Sequence, residues 1–218
     1  MKVGILFDLD GTLLDTLGDL QDSVNYALAL HGWPQRSLEE IRCFVGNGAR
    51  RLIQLSVPED AQDQTDAVLG EFQAYYREHT QVRTKPYDGV LTALQQVAAK
   101  YPVAVVSNKP DAAVQALAAY YFAGIPARGE SADCPRKPAP DMVYKTMEQL
   151  GVDACVYVGD SEVDVLTAQN AKMPCLSVLW GFRDRQLLEE VGAKHFCSEV
   201  AQLPAMIDEM VAAYYSCG

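Results

Sequence analysis

Acidic side chains gather at two points of the sequence. Asp8 and Asp10 directly follow a short apolar run, and Asp160 and Asp164 directly follow a later one. Asp8 and Asp10 point the same way in an extended chain, and Asp160 and Asp164 share a face if a helix begins there. Ionised carboxylates brought together repel one another, so they need a bound cation or a proton. Because oxygen ligands of this kind favour Mg²⁺, the four acids predict a magnesium site.

Complementary groups occur elsewhere in the chain. Ser107 and Asn108 follow another apolar run and supply short hydrogen-bonding side chains, and Lys137 supplies a positive charge. A metal ion and a lysine neutralise the charge of a phosphoryl group, and a carboxylate can attack its phosphorus. Each short motif alone is typical of an ordinary loop. Their combination, in this order and at strand ends, predicts phosphoryl chemistry.

The elements that must position these residues alternate between strands and helices. Four apolar runs predict buried strands, at residues 2–7, 103–106, 155–158 and 175–179. Apolar stripes at helical spacing separate them, at residues 90–98, 114–118 and 142–150, and Gly151 is placed to end the last. This alternation predicts an α/β fold, with a parallel sheet covered by helices on both faces. In such sheets, ligands bind at the carboxyl ends of the strands.

A helical block interrupts this alternation just after the first strand. Residues 17–82 contain no convincing strand, but they show four helical patterns. Domain insertions are tolerated at exposed loops, and binding sites often form at domain boundaries. We therefore expect a core domain built from residues 1–15 and 84–218 and an inserted helical domain at 16–83, with hinges near 12–18 and 80–87.

Composition and charge indicate which classes of partner are disfavoured and which compartment suits the protein. The formal net charge of −11 opposes general electrostatic binding of nucleic acid or of an anionic membrane. No stretch reaches the roughly 18 consecutive apolar residues that a membrane span needs, and the amino terminus does not resemble a signal peptide. The six cysteines form no Cys-x-x-Cys pair, so we expect reduced thiols in the cytoplasm. A monomer and a homodimer are both compatible with the sequence.

The four polar segments resemble the motifs of the haloacid dehalogenase superfamily, and the resemblance covers nearly the whole chain. Residues 8–16 resemble its first motif and 107–109 its second, while 137–138 resemble its third and 159–164 its fourth. The helical block is similar to the four-helix cap that members carry on a Rossmann-like core. The resemblance therefore implies the same two-domain architecture for this chain.

The resemblance also implies a role for each core residue. Asp8 would attack phosphorus and form an aspartyl-phosphate, and Asp10 would protonate the leaving oxygen and later take a proton from water. Asp8, Asp160 and the main-chain carbonyl of Asp10 would hold Mg²⁺, and Asp164 would support it as a ligand or through water. The residues implied around the phosphoryl oxygens are Thr12, Ser107, Asn108 and Lys137, with Thr12 also ordering its loop.

A turn in the helical block bears on the substrate. Residues 44–49, followed by two arginines, are similar to the cap loop of phosphoglycolate phosphatases. Asn47, Gly48 and Arg50 lie where a helix begins, and such a position suits an anion, for example the carboxylate of 2-phosphoglycolate. The alternative is an ordinary cap surface with solvated arginines. Lys109, beside the second motif, is also placed to line the pocket.

Several functions remain open at this point. The leading hypothesis is a Mg²⁺-dependent phosphatase acting on a small phosphorylated metabolite, with 2-phosphoglycolate first. Within the resemblance, an aspartate at position 10 disfavours dehalogenation and phosphonate cleavage, but a sugar phosphomutase uses it too. Hydrolysis of pyrophosphate or of a nucleoside monophosphate is also open. A non-catalytic binding protein is disfavoured because all six core catalytic side chains are present.

Overall fold

The centre of the molecule is a six-stranded parallel sheet. A computed structural model describes residues 1–132 and 134–216; for residues 214–216 it describes the backbone only. The six strands are β1 (Val3–Phe7), β4 (Val103–Pro110), β5 (Ala127–Glu130), β6 (Ala154–Gly159), β7 (Cys175–Val178) and β8 (His195–Cys197). Their order is β5-β4-β1-β6-β7-β8, and every pairing is parallel. The predicted α/β class is confirmed, and all four predicted strands are present.

Strand β1 is buried on both faces, as expected for the centre of a parallel sheet. Ile5 and Phe7 pack into one hydrophobic cluster, whereas Leu6 packs into another on the opposite face. This alternation follows from the two-residue period of a strand. The helices that cover the sheet are α5 (Val90–Ala98), α6 (Asp111–Tyr121), α7 (Asp141–Leu150), α8 (Glu162–Asn170), α9 (Arg185–Glu190) and α10 (Leu203–Ser216).

Two helix ends have well-defined caps. Gly151 ends α7 with a φ of 62°, a left-handed conformation that glycine adopts without steric penalty. Ser37 begins the second helix of the chain through a reciprocal capping box with Glu40. Among the described residues, no helix combines the length and the apolar character that a membrane crossing requires.

The segment between the first motif and α5 is helical. It contains α1 (Leu17–Leu30), α2 (Leu38–Phe44), α3 (Gly48–Ser56) and α4 (Thr65–Glu78), with a short 3₁₀ helix (Glu59–Gln64) before α4. These helices share a hydrophobic cluster that is distinct from the two clusters on the sheet. The four predicted helices are therefore present and pack mainly on one another.

The two ends of this helical segment are held side by side. Strands β2 (Leu14–Asp15) and β3 (Lys85–Pro86) pair in antiparallel orientation. The buried carboxylate of Asp19 accepts hydrogen bonds from the backbone N–H groups of Val82, Arg83 and Thr84, at 3.1, 2.8 and 2.9 Å. These contacts fix both connections at one edge of the sheet, next to the first motif.

Candidate active site

Three carboxylates meet at the carboxyl edge of the central strands. Asp8 follows β1, Asp160 follows β6, and Asp164 lies in the first turn of α8. Oxygen atoms of the three side chains lie within 4.8 Å of one another, and all three residues are buried. Neighbouring parallel strands end at the same edge, so the fold brings together acids that are more than 150 positions apart. The structure therefore brings three of the four predicted acids together.

Lys137 is the cation of this cluster. Its ammonium lies 2.8 Å from Asp8 Oδ1 and 2.8 Å from Asp164 Oδ1, and it donates a hydrogen bond of 3.0 Å to the hydroxyl of Tyr157. Tyr157 in turn donates to the carbonyl of Val106 at 3.3 Å. Burial alone would lower the pKa of Lys137, but Asp164 and Asp8 raise it well above its ordinary value. Lys137 is therefore held in its charged form.

Three carboxylates share one lysine, so their negative charges are not fully neutralised and the pKa values of two of them are raised. Burial and the charge of Asp164 raise the pKa of Asp8 well above its ordinary value, although Lys137 opposes them. Burial and Asp164 also raise the pKa of Asp160 to about 7. Buried oxygen donors that repel one another form the ligand set that a hard divalent cation neutralises. The residues present therefore fit a hard divalent cation such as Mg²⁺, which Asp8, Asp160 and Asp164 would hold.

This environment predicts a pH-dependent metal affinity. Mg²⁺ binds the ionised carboxylates, so below pH 7 its binding must displace at least one proton. The affinity is then expected to rise at least about tenfold per pH unit up to pH 7. Without metal, the pH dependence of stability has the opposite sign. Between pH 4 and 7 the folded state keeps a proton on Asp160 that the unfolded chain has released, so the contribution of Asp160 to the free energy of unfolding falls as the pH rises.

Thermal unfolding at several pH values, with Mg²⁺ and with chelator, measures both effects. We expect the Mg²⁺-induced increase in Tm to be small at pH 5.5 and large at pH 8. In Asp160→Asn, which removes a ligand and its titration, the increase is expected to shrink at every pH. If Mg²⁺ raised the Tm of the native protein equally at pH 5.5 and at pH 8, this description of the site would be contradicted.

Asp10 is not part of the three-carboxylate cluster. Its Oδ1 accepts a hydrogen bond of 2.5 Å from the hydroxyl of Thr16 and lies 2.7 Å from the ammonium of Lys109. Burial alone would lower the pKa of Lys109, but the neighbouring carboxylate of Asp10 raises it above its ordinary value. The site therefore contains a second buried lysine, on the Asp10 side. A metal contact through the Asp10 carbonyl stays a prediction.

Thr12 and Asn108 hold other site residues in place. Thr12 donates to Asp160 Oδ1 at 3.0 Å. Both amide hydrogens of Asn108 are engaged, by the carbonyls of Lys137 at 2.9 Å and of Gly46 at 3.1 Å. In this arrangement both side chains donate to other protein oxygens and so help to position site residues, and their contact with a phosphoryl oxygen stays a prediction. Among the predicted phosphoryl ligands, Ser107, Asn108 and Lys137 line the cleft, whereas Thr12 does not.

Gly11 explains how the first motif approaches the fourth so closely. It has a φ of 85°, and a Cβ atom at this position would collide with the carboxylate of Asp160. Only glycine combines this conformation with such an approach. The turn after Asp10 therefore brings Thr12 within hydrogen-bonding distance of Asp160.

The helical segment forms the other wall of the cleft, and this wall is largely apolar. The cleft encloses about 640 Å³, counting space open to solvent. The side chains that α1, α3, α4 and the adjoining loops contribute are Leu20, Val45, Ala49, Leu52, Phe72 and Tyr76. Burial raises the pKa of Tyr76 to about 12, so its hydroxyl is protonated at neutral pH.

The structure does not bring Arg50 to the cleft. Its guanidinium lies on the surface, 2.9 Å from Asp66, and its side chain is 56% exposed. Ala49 and Leu52, three positions apart, face the cleft from α3, so position 50 is turned to solvent. Of the predicted cap-loop residues, Gly48 lines the cleft, whereas Asn47 and Arg50 do not. The apolar stripe of α3 is the signal that could have indicated this orientation.

Arg183, which the sequence analysis missed, links the sheet to the helical segment. It follows β7, its side chain is 8% exposed, and its Nε lies 2.8 Å from Glu162 Oε2. Its other nitrogens donate to the carbonyls of Arg42 and Val45, each at 2.7 Å, at the end of α2. The backbone N–H of the preceding residue, Phe182, donates to Asp160 Oδ2 at 2.8 Å. This loop therefore contacts both the carboxylate cluster and the helical segment.

Comparison with known proteins gives a consistent result. Residues 5–178 match the family described as haloacid dehalogenase-like hydrolase. The phosphoglycolate phosphatase of Rhodobacter capsulatus is 32% identical over 95% of this chain and 98% of its own. A solved structure of a provisionally assigned phosphoglycolate phosphatase from Lactobacillus delbrueckii subsp. bulgaricus is 36% identical, with a TM-score of 0.88 over 94% of this chain and 97% of its own.

A second solved structure supports the same assignment. A predicted phosphoglycolate phosphatase from Haemophilus somnus 129pt is 27% identical, with a TM-score of 0.85 over 93% of this chain and 96% of its own. The family match covers most of the chain and includes all four motifs, since Asp8 and Asp164 both lie within it. The chain therefore belongs to the haloacid dehalogenase-like hydrolase family.

Proposed function

We propose that this hydrolase, a phosphatase by its family and its relatives, removes phosphate from 2-phosphoglycolate in a Mg²⁺-dependent reaction. The observation that carries the proposal is the position of Asp8. Its carboxylate lies at the floor of the cleft, paired with Lys137 and close to Asp160 and Asp164. The curated relative from Rhodobacter capsulatus supports the choice of substrate, because it bears that name and matches over nearly the full length.

In the proposed reaction, a carboxylate oxygen of Asp8 attacks phosphorus and the bond to the ester oxygen breaks. Asp10 gives its proton to the departing alkoxide, which leaves as the alcohol. Water then attacks the aspartyl-phosphate, Asp10 takes a proton from that water, and inorganic phosphate leaves with Asp8 restored. Lys137 neutralises the phosphoryl charge throughout. Asp8, Asp160, Asp164 and the Asp10 carbonyl would hold Mg²⁺, which would supply further neutralisation of that charge.

We also propose that the helical segment acts as a cap domain of residues 16–83 on a core of residues 1–15 and 84–218. Its apolar wall covers the cleft, and its two connections lie together at β2 and β3. A cap in this position keeps bulk water away from the aspartyl-phosphate and admits only small leaving groups. Gly48, at the start of α3, remains the cap-loop residue that faces the substrate.

The proposed setting is the cytoplasm, with a small phosphorylated metabolite as the partner. The six cysteines form no Cys-x-x-Cys pair, as is usual for reduced thiols in a cytoplasm. Cys217 lies outside the described residues. The net charge of −11 opposes nucleic acid and anionic membranes as partners. A monomer and a homodimer are both compatible with this function.

Phosphate release from a panel of esters tests the proposal. The panel contains 2-phosphoglycolate, β-glucose 1-phosphate, pyrophosphate and nucleoside monophosphates, each with Mg²⁺ and with chelator. We expect kcat/KM for 2-phosphoglycolate to exceed the others by at least about tenfold, and chelator to abolish turnover. Preference for another ester would contradict the substrate. Conversion of β-glucose 1-phosphate to an isomeric sugar phosphate, dependent on a bisphosphate activator, would indicate a phosphomutase instead.

A further inference from the structure

One polar group in the apolar wall of the cleft, the hydroxyl of Tyr76, interacts with the Lys109 ammonium but forms no hydrogen bond of good geometry within the described residues. Tyr76 lies on α4, is 4% exposed, and lines the cleft together with Asp10 and Lys109. Its hydroxyl oxygen makes no hydrogen bond of acceptable distance and angle within the described part of the chain. A buried hydroxyl without a good hydrogen bond destabilises a protein, so such groups in a native structure usually serve another purpose.

The surroundings of this hydroxyl favour an anionic ligand group. The Lys109 ammonium lies 4.9 Å from the centroid of the Tyr76 ring, and Lys109 is itself paired with Asp10. Stacking on Phe72, with the ring centroids 5.3 Å apart, holds the Tyr76 ring in place. A fixed hydroxyl donor beside an ammonium group is suited to an acceptor oxygen that carries negative charge.

The position also matches the order of groups along the proposed substrate. In the proposed reaction Asp10 donates a proton to the ester oxygen, which joins the phosphoryl group to the rest of the molecule. Whatever is attached beyond that oxygen must therefore lie near Asp10, on the side away from Asp8. Lys109 and Tyr76 occupy the surroundings of Asp10 in the cleft. The carboxylate of 2-phosphoglycolate is separated from the ester oxygen by one carbon, so it would reach this place.

We propose that the Tyr76 hydroxyl, with the Lys109 ammonium, binds the carboxylate of the leaving group and makes Tyr76 a specificity-determining residue. This inference rests on the proposed function and deepens it by naming what recognises the second anion of the substrate. It also assigns to α4 and to the core the recognition that the exposed Arg50 does not provide.

Tyr76→Phe tests the inference, because it removes only the hydroxyl. The matched pair of substrates is 2-phosphoglycolate and ethyl phosphate, which has the same two-carbon skeleton without the carboxylate. We expect kcat/KM for 2-phosphoglycolate to fall about 10- to 100-fold, the loss of one charge-assisted hydrogen bond, and kcat/KM for ethyl phosphate to change little. The midpoint of thermal unfolding should stay the same or rise, because a buried hydroxyl without a good hydrogen bond is lost.

Tyr75→Phe is the matched control. Tyr75 precedes Tyr76 on the same helix but stacks on Tyr26 and His79 outside the cleft, so both substrates should be unaffected. If the native protein prefers 2-phosphoglycolate over ethyl phosphate and Tyr76→Phe keeps that preference, the inference is overturned and the proposed function stands. An equal loss on both substrates overturns it in the same way. A native protein with no preference between them overturns both proposals.

Discussion

Replacing Asp8 with asparagine is expected to lower kcat by at least about 10⁴-fold, as removal of a covalent nucleophile does in comparable enzymes. The amide is nearly the same size as the carboxylate, but it cannot attack phosphorus and is a poor metal ligand. The fold should persist. Burial and Asp164 already disfavour the charge on Asp8, so the metal-free Tm is expected to stay the same or rise.

Steady-state phosphate release and thermal unfolding, measured on the same preparation, separate the effect of Asp8→Asn on kcat from its effect on Tm. Asp66→Asn is the matched control: it makes the same chemical change at an exposed side chain paired with Arg50, away from the cleft. Its kcat should lie within about twofold of the native value, since surface substitutions away from the site have little effect. An Asp8→Asn protein with kcat within tenfold of native would exclude Asp8 as the nucleophile.

Lys137→Met is expected to have the largest effect on stability. The side chain is 2% exposed and contacts Asp8, Asp164 and Tyr157. Methionine fills a similar volume but leaves two buried carboxylates without their cation. Removing one partner from a buried ion pair typically costs about 3–5 kcal/mol. Phosphate release should fall by at least about 10³-fold, because the phosphoryl charge loses its neutralising lysine.

Urea unfolding at pH 7.5 measures the loss of stability in Lys137→Met. Adding Mg²⁺ should restore part of the lost stability, since it neutralises the same carboxylates. Lys100→Met serves as the control, because Lys100 forms an exposed pair with Asp208 and its loss should change unfolding far less. If Lys137→Met were no more destabilising than Lys100→Met, the buried ammonium would not be the counter-charge of the cluster.

The sheet and the carboxylate cluster were predictable because their signals are local. Strands β1, β4 and β6 are runs of apolar residues that end at acids or short polar side chains, and parallel pairing then brings those ends together. Strands β5 and β8 were not predicted. They contain Arg128, Gly129 and His195, lie at the two edges of the sheet, and lack the continuous apolar character of buried strands.

The finer parts of the site depend on contacts between distant positions. Lys109 reaches Asp10 across 99 positions, and Arg183 reaches the end of α2 across about 140. No spacing rule links such pairs, so their partners become visible only in the fold. Tyr76 reads as an ordinary core aromatic for the same reason. Arg50 was assigned from motif similarity, whereas the packing of α3 turns it toward Asp66.

The measurement that tests the central proposal most directly is the trapping of the phosphorylated enzyme. Native protein and Asp8→Asn are mixed with 2-phosphoglycolate and Mg²⁺, quenched in acid during turnover, digested and analysed by mass spectrometry. The proposal predicts one added phosphoryl group on the peptide that contains Asp8, and none on that peptide in Asp8→Asn or in the native protein with chelator. Phosphate on any other residue, or turnover without a phosphorylated peptide in a quench series that spans the first turnover, would contradict it.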